Sequence, residues 1–280
     1  MRIAVIGTGM VGRVLAAKLA ETGHEVTIGT RDVEATLART EPDQMGAPPF
    51  SQWRGEHPDI GLATMPDAAA GAELVVNATA GRVSLEAFRS IGAEPLDGKI
   101  VLDVAQPLDL SRGLPPTLTV VNTDSLAEQL QRELPGARVV KSLNTTYAEV
   151  MVDPARVPGH HNIFVAGDDE GAKRVVRGIL GELGWLEDRV IDLGDITGAR
   201  AAEMFARMYF TLVGVLGTFD INIAVLAGAG RSSDHDVHDT RDRPDGRADR
   251  LPQQRRRDAR RRARRLPDGR RPGPRDRAGG

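Results

Sequence analysis

The chain has 280 residues, enough for one large domain or two small ones, and it contains no cysteine. The lack of cysteine excludes a disulfide framework and thiol catalysis and fits a reducing compartment, so we expect a cytoplasmic protein. The first predicted strand begins at Arg2, so we expect no signal peptide. The most apolar stretch, 209–226, is interrupted by Asp220 and Asn222. We therefore predict a buried helix there and no membrane span.

Charge divides the chain near residue 228. Residues 1–228 carry 20 Lys and Arg against 30 Asp and Glu, whereas 229–280 carry 17 Arg, 9 Asp and neither Lys nor Glu. The second segment has few large apolar residues, so we predict a folded domain over 1–228 and a disordered tail over 229–280. The arginine runs of the tail could contact acidic surfaces nonspecifically. We favour the alternative, a shifted reading frame of GC-rich DNA with no selected function, and expect no specific nucleic-acid partner because the folded part is acidic.

The N-terminal residues carry the strongest motif. The apolar run 3–6 leads into Gly7-x-Gly9-x-x-Gly12 and then into a helical pattern. In this context Gly7 permits a tight turn, Gly9 lets the backbone approach a pyrophosphate, and Gly12 lets the helix pack closely on the strand. The free N–H groups at the start of the helix would bind the pyrophosphate. Over a purely structural turn we favour a dinucleotide site formed by Gly7, Thr8, Gly9, Met10, Val11 and Gly12.

The end of the second predicted strand, 25–28, indicates which dinucleotide binds. NAD-binding chains place an acidic residue about 20 residues after the glycines, where it accepts hydrogen bonds from the ribose 2′-OH. This chain instead has Thr30 and Arg31, whose hydroxyl and guanidinium suit the 2′-phosphate of NADP. We predict NADP(H) rather than NAD(H), with Asp32 as the cap of the next helix. The alternative is that Thr30 and Asp32 only cap that helix and that Arg31 is solvated.

The rest of the chain alternates between strands and helices. Strands are predicted at 60–64, 73–79, 99–104, 138–141, 162–166 and 189–192, and helices at 33–39, 83–91, 125–134, 169–183 and 203–217, with a helical turn opening at 65–67. This alternation predicts an α/β fold in one domain: a Rossmann-type, doubly wound, mostly parallel sheet with helices on both faces. The segment 41–58 is predicted to be a long polar loop over the site or a mobile flap.

Ligands of such sheets bind at the carboxyl ends of the strands. We therefore expect the loops 78–81, 105–108 and 142–145 to flank the nicotinamide. The predicted cofactor contacts there are Asn77, Ala78, Thr79, Ala105 and Asn144, and the residues predicted to position the reacting rings are Thr79, Pro107 and Asn144. Asn77 and Asn144 can bind a carboxamide or ribose, with Lys141 and Thr145 beside Asn144; the alternative is that each asparagine only closes a turn.

No metal site and no catalytic acid or base are predicted. His160-His161 precede a strand, and no third ligand is spaced nearby, so we interpret them as loop residues.

Several of these segments resemble one family. They are GTGMVG at 7–12, GTR at 29–31, VKSLNT at 140–145, AGDD at 166–169, IDLG at 191–194, GT at 217–218 and NI at 222–223. Over about 1–226 the chain resembles the NADPH-dependent reductases of coenzyme F420, a deazaflavin, and the bacterial NADP oxidoreductases related to them. The N-terminal oxidoreductase domain of STEAP-type ferric reductases is similar too.

The resemblance implies direct hydride transfer between the nicotinamide C4 of NADP(H) and a flavin-like acceptor such as coenzyme F420, with no required acid or base. The chain departs from the deazaflavin enzymes at residues 79–82, where they carry a proline and aromatic or apolar residues. Arg82 there could pair with an acidic group of the acceptor or only begin a helix in solvent.

Two other function classes stay open. An imine reductase or hydroxyacid dehydrogenase needs a further helical domain, whereas 196–226 offers one helix. A non-catalytic NADP(H)-sensing protein would bind the nucleotide tightly without turnover. The expected partners are a small-molecule acceptor and a second copy of the chain, which would bind through the last helix. No membrane is expected as a partner. The apolar stripe that predicts this homodimer consists of Met204, Phe205, Met208 and Leu212, although such a stripe is more often core than interface.

Overall fold

A sheet of eight strands organises the protein, whose computed structural model describes residues 1–42 and 48–228. The described strands are β1 Arg2–Ile6, β2 Glu25–Thr30, β3 Gly61–Thr64, β4 Leu74–Asn77, β5 Ile100–Asp103, β6 Leu108–Asp109, β7 Thr117–Leu118, β8 Arg138–Ser142, β9 Ile163–Ala166 and β10 Val190–Asp192. Strands β6 and β7 form a separate antiparallel hairpin, and the order across the sheet is β10-β9-β8-β5-β4-β1-β2-β3. Every neighbouring pair in the sheet is parallel except β8 and β9. The predicted mostly parallel sheet is confirmed. Within it, the six strands β3-β2-β1-β4-β5-β8 follow the strand order of the Rossmann fold.

Helices cover both faces of this sheet, as predicted. They are α1 Met10–Glu21, α2 Val33–Leu37, α3 Phe50–Glu56, α4 Met65–Gly71, α5 Gly81–Ile91, α6 Leu126–Glu133, α7 Ala148–Val152, α8 Glu170–Glu182 and α9 Ala199–Leu216. Strand β1 contributes Ile3 and Val5 to one apolar core and Ala4 and Ile6 to the other, because successive strand residues point to opposite faces. A strand buried on both faces is apolar throughout, which explains its sequence.

The prediction that 41–58 is a loop is wrong over seven of its residues. Helix α3 occupies 50–56, and its Phe50 and Trp53 pack in the core with side chains at most 9% exposed. The ring of His57 stacks on Trp53 with 4.4 Å between the ring centroids. Only two large apolar residues anchor this helix, which are too few to show a helical period in the sequence. Residues 43–47 of this segment lie outside the described residues, as does the predicted tail 229–280.

Helix α9 begins at Ala199, four residues before its predicted start. Its buried face includes Ala202, Ala206 and Tyr209, whereas Met208 on the predicted dimer stripe is 56% exposed. Within 1–42 and 48–228 no helix is both long and apolar enough to cross a membrane. The homodimer through this stripe stays a prediction.

An ion pair between Asp124, just before α6, and Arg132, within α6, makes the stability of the fold depend on pH. Arg132 donates from both terminal nitrogens to the Asp124 carboxylate at 3.1 and 2.8 Å, and these bonds lower the pKa of Asp124 to about 2. A carboxyl group with a lowered folded pKa stabilises the fold above its unfolded pKa and loses that contribution as the pH falls through its folded pKa.

We expect Asp124→Asn to lower the free energy of unfolding at pH 7 by about 1 kcal/mol, since the pair is partly exposed to solvent. Near pH 2, the folded pKa of Asp124, the difference should be much smaller, and it should vanish below that pH. Urea denaturation at both pH values measures it, with Arg132→Gln as the matched variant. A difference that is equal at both pH values would contradict the assignment.

Candidate functional site

The glycine turn after β1 is shaped by close backbone contacts. Gly7 has φ +131°, and a Cβ on it would lie 2.5 Å from the Ala78 carbonyl oxygen. A Cβ on Gly12 would lie 2.2 Å from the carbonyl oxygen of Gly7. Gly9 is exposed, has no atom within 4 Å of its Cβ position, and caps α1 without a side-chain hydrogen bond. The space beside Gly9 at the start of α1 is therefore open, which fits a pyrophosphate bound by the first N–H groups of the helix.

At the predicted 2′-phosphate site, hydrogen bonds connect the hydroxyl groups of threonine residues with one arginine side chain. The Thr30 and Thr36 hydroxyl oxygens are 2.7 Å apart. Arg39 donates to the hydroxyls of Thr36 at 3.1 Å and Thr8 at 3.2 Å, so it links α2 to the glycine turn. Arg31 is exposed at the end of β2. The sequence analysis overlooked Arg39, although it follows Thr36 by one helical turn in the predicted helix 33–39.

Asp32 is the helix cap that both interpretations predicted, whereas the Thr30 hydroxyl pairs with that of Thr36. The Asp32 carboxylate accepts the Ala35 N–H at 2.9 Å and caps α2. Next to α2 lies a cavity of about 390 Å³, a size typical of small-molecule sites, lined by Arg13, Ala38, Arg39, Thr40, Glu41, Pro42 and Phe50. Two arginines, Arg13 and Arg39, and one acidic residue, Glu41, line this cavity, so its charged lining is net positive and suits a phosphate group.

The three predicted loops meet at the carboxyl edge of β4, β5 and β8. Gly7 abuts Ala78, and a Cβ on Gly81 would lie 2.1 Å from the Gln106 carbonyl oxygen. The Gln106 side-chain amide donates to the Asn144 carbonyl oxygen. Because these strands are neighbours, the loops 78–81, 105–108 and 142–145 form one continuous surface beside the glycine turn. Ala105 and Pro107 are buried in this surface.

Asn77 lies beneath this surface. Its amide nitrogen donates to Ser84 Oγ at 2.6 Å and to Asp103 Oδ1 at 2.8 Å, and its Oδ1 accepts the Thr79 hydroxyl at 2.7 Å. The Asn77 side chain is fully buried, and both ends of its amide are bonded within the protein. Contact of Asn77 with the cofactor stays a prediction, but its bonds already hold Thr79 at the surface.

Lys141 lies in the interior, whereas the sequence analysis placed it beside Asn144. Its ammonium contacts Asp103 Oδ2 and Glu203 Oε1, each at 2.9 Å, and donates to the Ala105 carbonyl oxygen. Burial lowers the pKa of Lys141, but the two carboxylates outweigh it and the net shift is upward. Burial also raises the pKa of Glu203, whose carboxylate accepts two N–H groups at the start of α6.

Asn144 and Thr145 carry buried polar atoms that have no partner among the described residues. Both amide atoms of Asn144, the Thr145 hydroxyl and the Gln106 Oε1 are unpaired, and Asn144 and Thr145 are 6% and 2% exposed. Buried polar groups are ordinarily hydrogen-bonded, so this cluster is suited to a ligand or ordered water. The Tyr147 hydroxyl contacts Met10 Sδ at 3.5 Å, which brings this loop against the start of α1.

His161 lies in a loop, as predicted, and is built into the fold. Its Nε2 lies 3.0 Å from two carbonyl oxygens, those of Pro154 and Val157, so Nε2 carries the proton. The Asn222 amide donates to Nδ1 at 2.9 Å. In the described part of the chain no three His, Cys, Asp or Glu side chains are grouped to hold a metal ion.

Comparison with known proteins identifies the family of the chain. The profile of the NADP oxidoreductases that depend on coenzyme F420 matches residues 2–107. The F420-dependent NADP reductase of Methanothermobacter thermautotrophicus is 30% identical over 219 residues, which cover 76% of this chain and 89% of that protein. The metalloreductase STEAP3 of Rattus norvegicus is 25% identical over 202 residues, and the match spans only 36% of that protein.

Solved structures agree with this result. A crystal structure of a candidate F420-dependent NADP reductase from Arthrobacter sp. FB24 is 56% identical, with a TM-score of 0.77, and covers 81% of this chain and 100% of that one. A reductive aminase from Aspergillus terreus, 21% identical with a TM-score of 0.51 over 77% of this chain and 63% of that one, shows the fold alone.

The glycines can be separated by two alanine variants. We expect Gly12→Ala to lower the unfolding temperature, because its Cβ would meet backbone. Gly9→Ala should keep the unfolding temperature and weaken NADP(H) binding at least ~10-fold, because its methyl group would occupy the space that the pyrophosphate needs. Thermal denaturation and titration calorimetry measure the two effects. Gly9→Ala binding at the wild-type level would contradict the site.

Arg31 and Arg39 should discriminate between the two coenzymes. We expect Arg31→Gln and Arg39→Gln each to weaken NADPH binding about 10-fold while NADH binding stays unchanged, since a charge-assisted bond to phosphate contributes about 1.5–3 kcal/mol. The exposed Arg174→Gln, on α8, is the matched control. Equal losses for NADPH and NADH would place these arginines away from the 2′-phosphate.

Proposed function

The chain belongs to the family of coenzyme F420-dependent NADP oxidoreductases, and from this premise we propose that it transfers hydride directly between NADP(H) and a flavin-like acceptor, coenzyme F420 or a relative. As a member of this family it is an NAD(P)-binding oxidoreductase. The observation that carries the finer proposal is the continuous surface of three strand-end loops beside the glycine turn, where Asn144 keeps unpaired buried polar atoms.

Different groups of residues would bind different parts of NADP(H). The glycine turn would hold the pyrophosphate, and Thr30, Arg31 and Arg39 would hold the 2′-phosphate. Thr79, Ala105 and Asn144 would contact the nicotinamide half, with Pro107 shaping the wall. When bound, NADP(H) supplies the hydride from its nicotinamide ring.

The protein contributes position and exclusion of water. Lys141 and Asp103 are the charged groups closest to these loops along the strands, and they are bonded to each other in the interior. Neither is free to exchange a proton with a substrate. A surface that holds two planar rings in contact suits hydride transfer, which needs alignment and no proton donor.

A direct test uses the full chain with NADPH or NADH and, separately, coenzyme F420 or FMN. We expect NADPH-specific bleaching of the deazaflavin, with NADH at least ~10-fold less effective because it lacks the phosphate that Arg31 and Arg39 would bind. NADPH with both C4 hydrogens replaced by deuterium should pass one deuterium to reduced coenzyme F420, as direct transfer requires. The deazaflavin accepts it on carbon, where it does not exchange with water.

Gly9→Ala is the control for this assay, because it should lose turnover while remaining folded. Tight NADPH binding with no transfer to either acceptor would contradict the proposed reaction and favour a nucleotide sensor. With coenzyme F420 as the acceptor, deuterium found in the solvent and not in the reduced deazaflavin would contradict direct transfer.

A further inference from the structure

We propose that four buried residues fix the Thr79 hydroxyl as a hydrogen-bond acceptor directed at the nicotinamide nucleoside of NADP(H). This buried chain consists of Glu203, Lys141, Asp103 and Asn77. The inference rests on the NADP(H) binding of the proposed function and is independent of which acceptor takes the hydride.

The buried chain starts from the Lys141 ammonium group, a cation that can only donate hydrogen bonds. The Lys141 ammonium has three donors, and its three partners are Asp103 Oδ2, Glu203 Oε1 and the Ala105 carbonyl oxygen. The side chains of Lys141 and Asp103 are 0% exposed and that of Glu203 is 1% exposed, so no water replaces these partners. A buried charge keeps such partners because leaving it unpaired is costly. Asp103 is therefore held in one orientation.

Asp103 in turn orients the amide of Asn77. Asp103 Oδ1 accepts the Ala105 N–H at 3.1 Å and faces the Asn77 amide at 2.8 Å. An ionised carboxylate only accepts hydrogen bonds, so Asn77 must present its nitrogen to it. The network assigns the amide in this way, and Asn77 Oδ1 then points towards Thr79.

Asn77 Oδ1 has no hydrogen, so the Thr79 hydroxyl must donate to it across 2.7 Å. That bond uses the single hydrogen of the hydroxyl and leaves its lone pairs free. Thr79 is half-buried, and its backbone nitrogen lies 3.3 Å from the Cβ position of Gly7 in the dinucleotide turn. What Thr79 offers a ligand there is an acceptor. Its complement is a donor of the nicotinamide nucleoside, either the carboxamide N–H or a ribose O–H.

The first test compares Thr79→Val with Thr79→Ser by titration calorimetry. Thr79→Val should weaken NADP⁺ binding about 5-fold, the size expected for one hydrogen bond, and Thr79→Ser should bind like wild type. Binding of 2′,5′-ADP, which lacks the nicotinamide nucleoside, should not change in either variant. Wild-type NADP⁺ affinity in Thr79→Val, or equal weakening of both ligands, would overturn the inference.

The 3-acetylpyridine analogue of NADP⁺ separates the two donors, because its acetyl group keeps the carbonyl and lacks the N–H. If the carboxamide is the donor, Thr79→Val should not weaken binding of the analogue. If a ribose hydroxyl is the donor, the analogue should lose the same factor as NADP⁺.

The second test addresses the buried chain. Asp103→Asn replaces the acceptor-only carboxylate by an amide and leaves Lys141 paired with Glu203. In this background the cost of Thr79→Val should fall from about 5-fold to below about 2-fold, because Asn77 is no longer held in one orientation.

Asn77→Ala, which removes the partner of the Thr79 hydroxyl without adding a charge, should give the same loss of coupling. An undiminished cost of Thr79→Val in backgrounds that fold, as shown by thermal denaturation, would overturn the role of the chain. These binding assays contain no hydride acceptor, so a failure to reduce coenzyme F420 leaves their outcome unaffected.

Discussion

The buried ion cluster of Lys141, Asp103 and Glu203 is the interaction on which the functional edge of the sheet depends. It joins β8 and β5 to α9, and through Glu203 it also holds the start of α6. Removing one partner from such a cluster leaves an uncompensated buried charge, at a cost of about 3–5 kcal/mol. The loops that follow β5 and β8 are therefore positioned by this buried ion cluster.

The proposed cofactor site has two halves that are built by different means. The pyrophosphate part uses backbone, with Gly7 and Gly12 required by contacts and Gly9 left open. The nicotinamide part would use side chains from loops that are far apart in sequence, such as Thr79 after β4 and Asn144 after β8. Backbone geometry of this kind is shared by many dinucleotide-binding proteins, so we expect substrate choice to depend on the second half.

The end of the described chain supports that second half. After α9 the backbone returns to β9, where Asn162 donates its N–H to the Ile223 carbonyl oxygen at 2.8 Å. On the way, the Ile221 carbonyl oxygen accepts the Thr146 hydroxyl at 3.1 Å. The loop after β8 is thus held from the glycine turn by Tyr147 and from the C-terminal side by this return.

The sequence by itself determined the features whose causes are local. The glycine turn, the alternation of apolar strands with amphipathic helices, and the Asp32 cap depend on residues a few positions apart, so their patterns can be read directly. Tertiary structure alone decided the rest. Helix α3 forms where Phe50 and Trp53 find a core, Lys141 turns inward because Asp103 and Glu203 meet it there, and Arg39 reaches Thr8 only once α2 packs beside the turn. Each of these depends on partners far apart in the chain, and a buried charge or ring is stabilised only after folding brings its partners together.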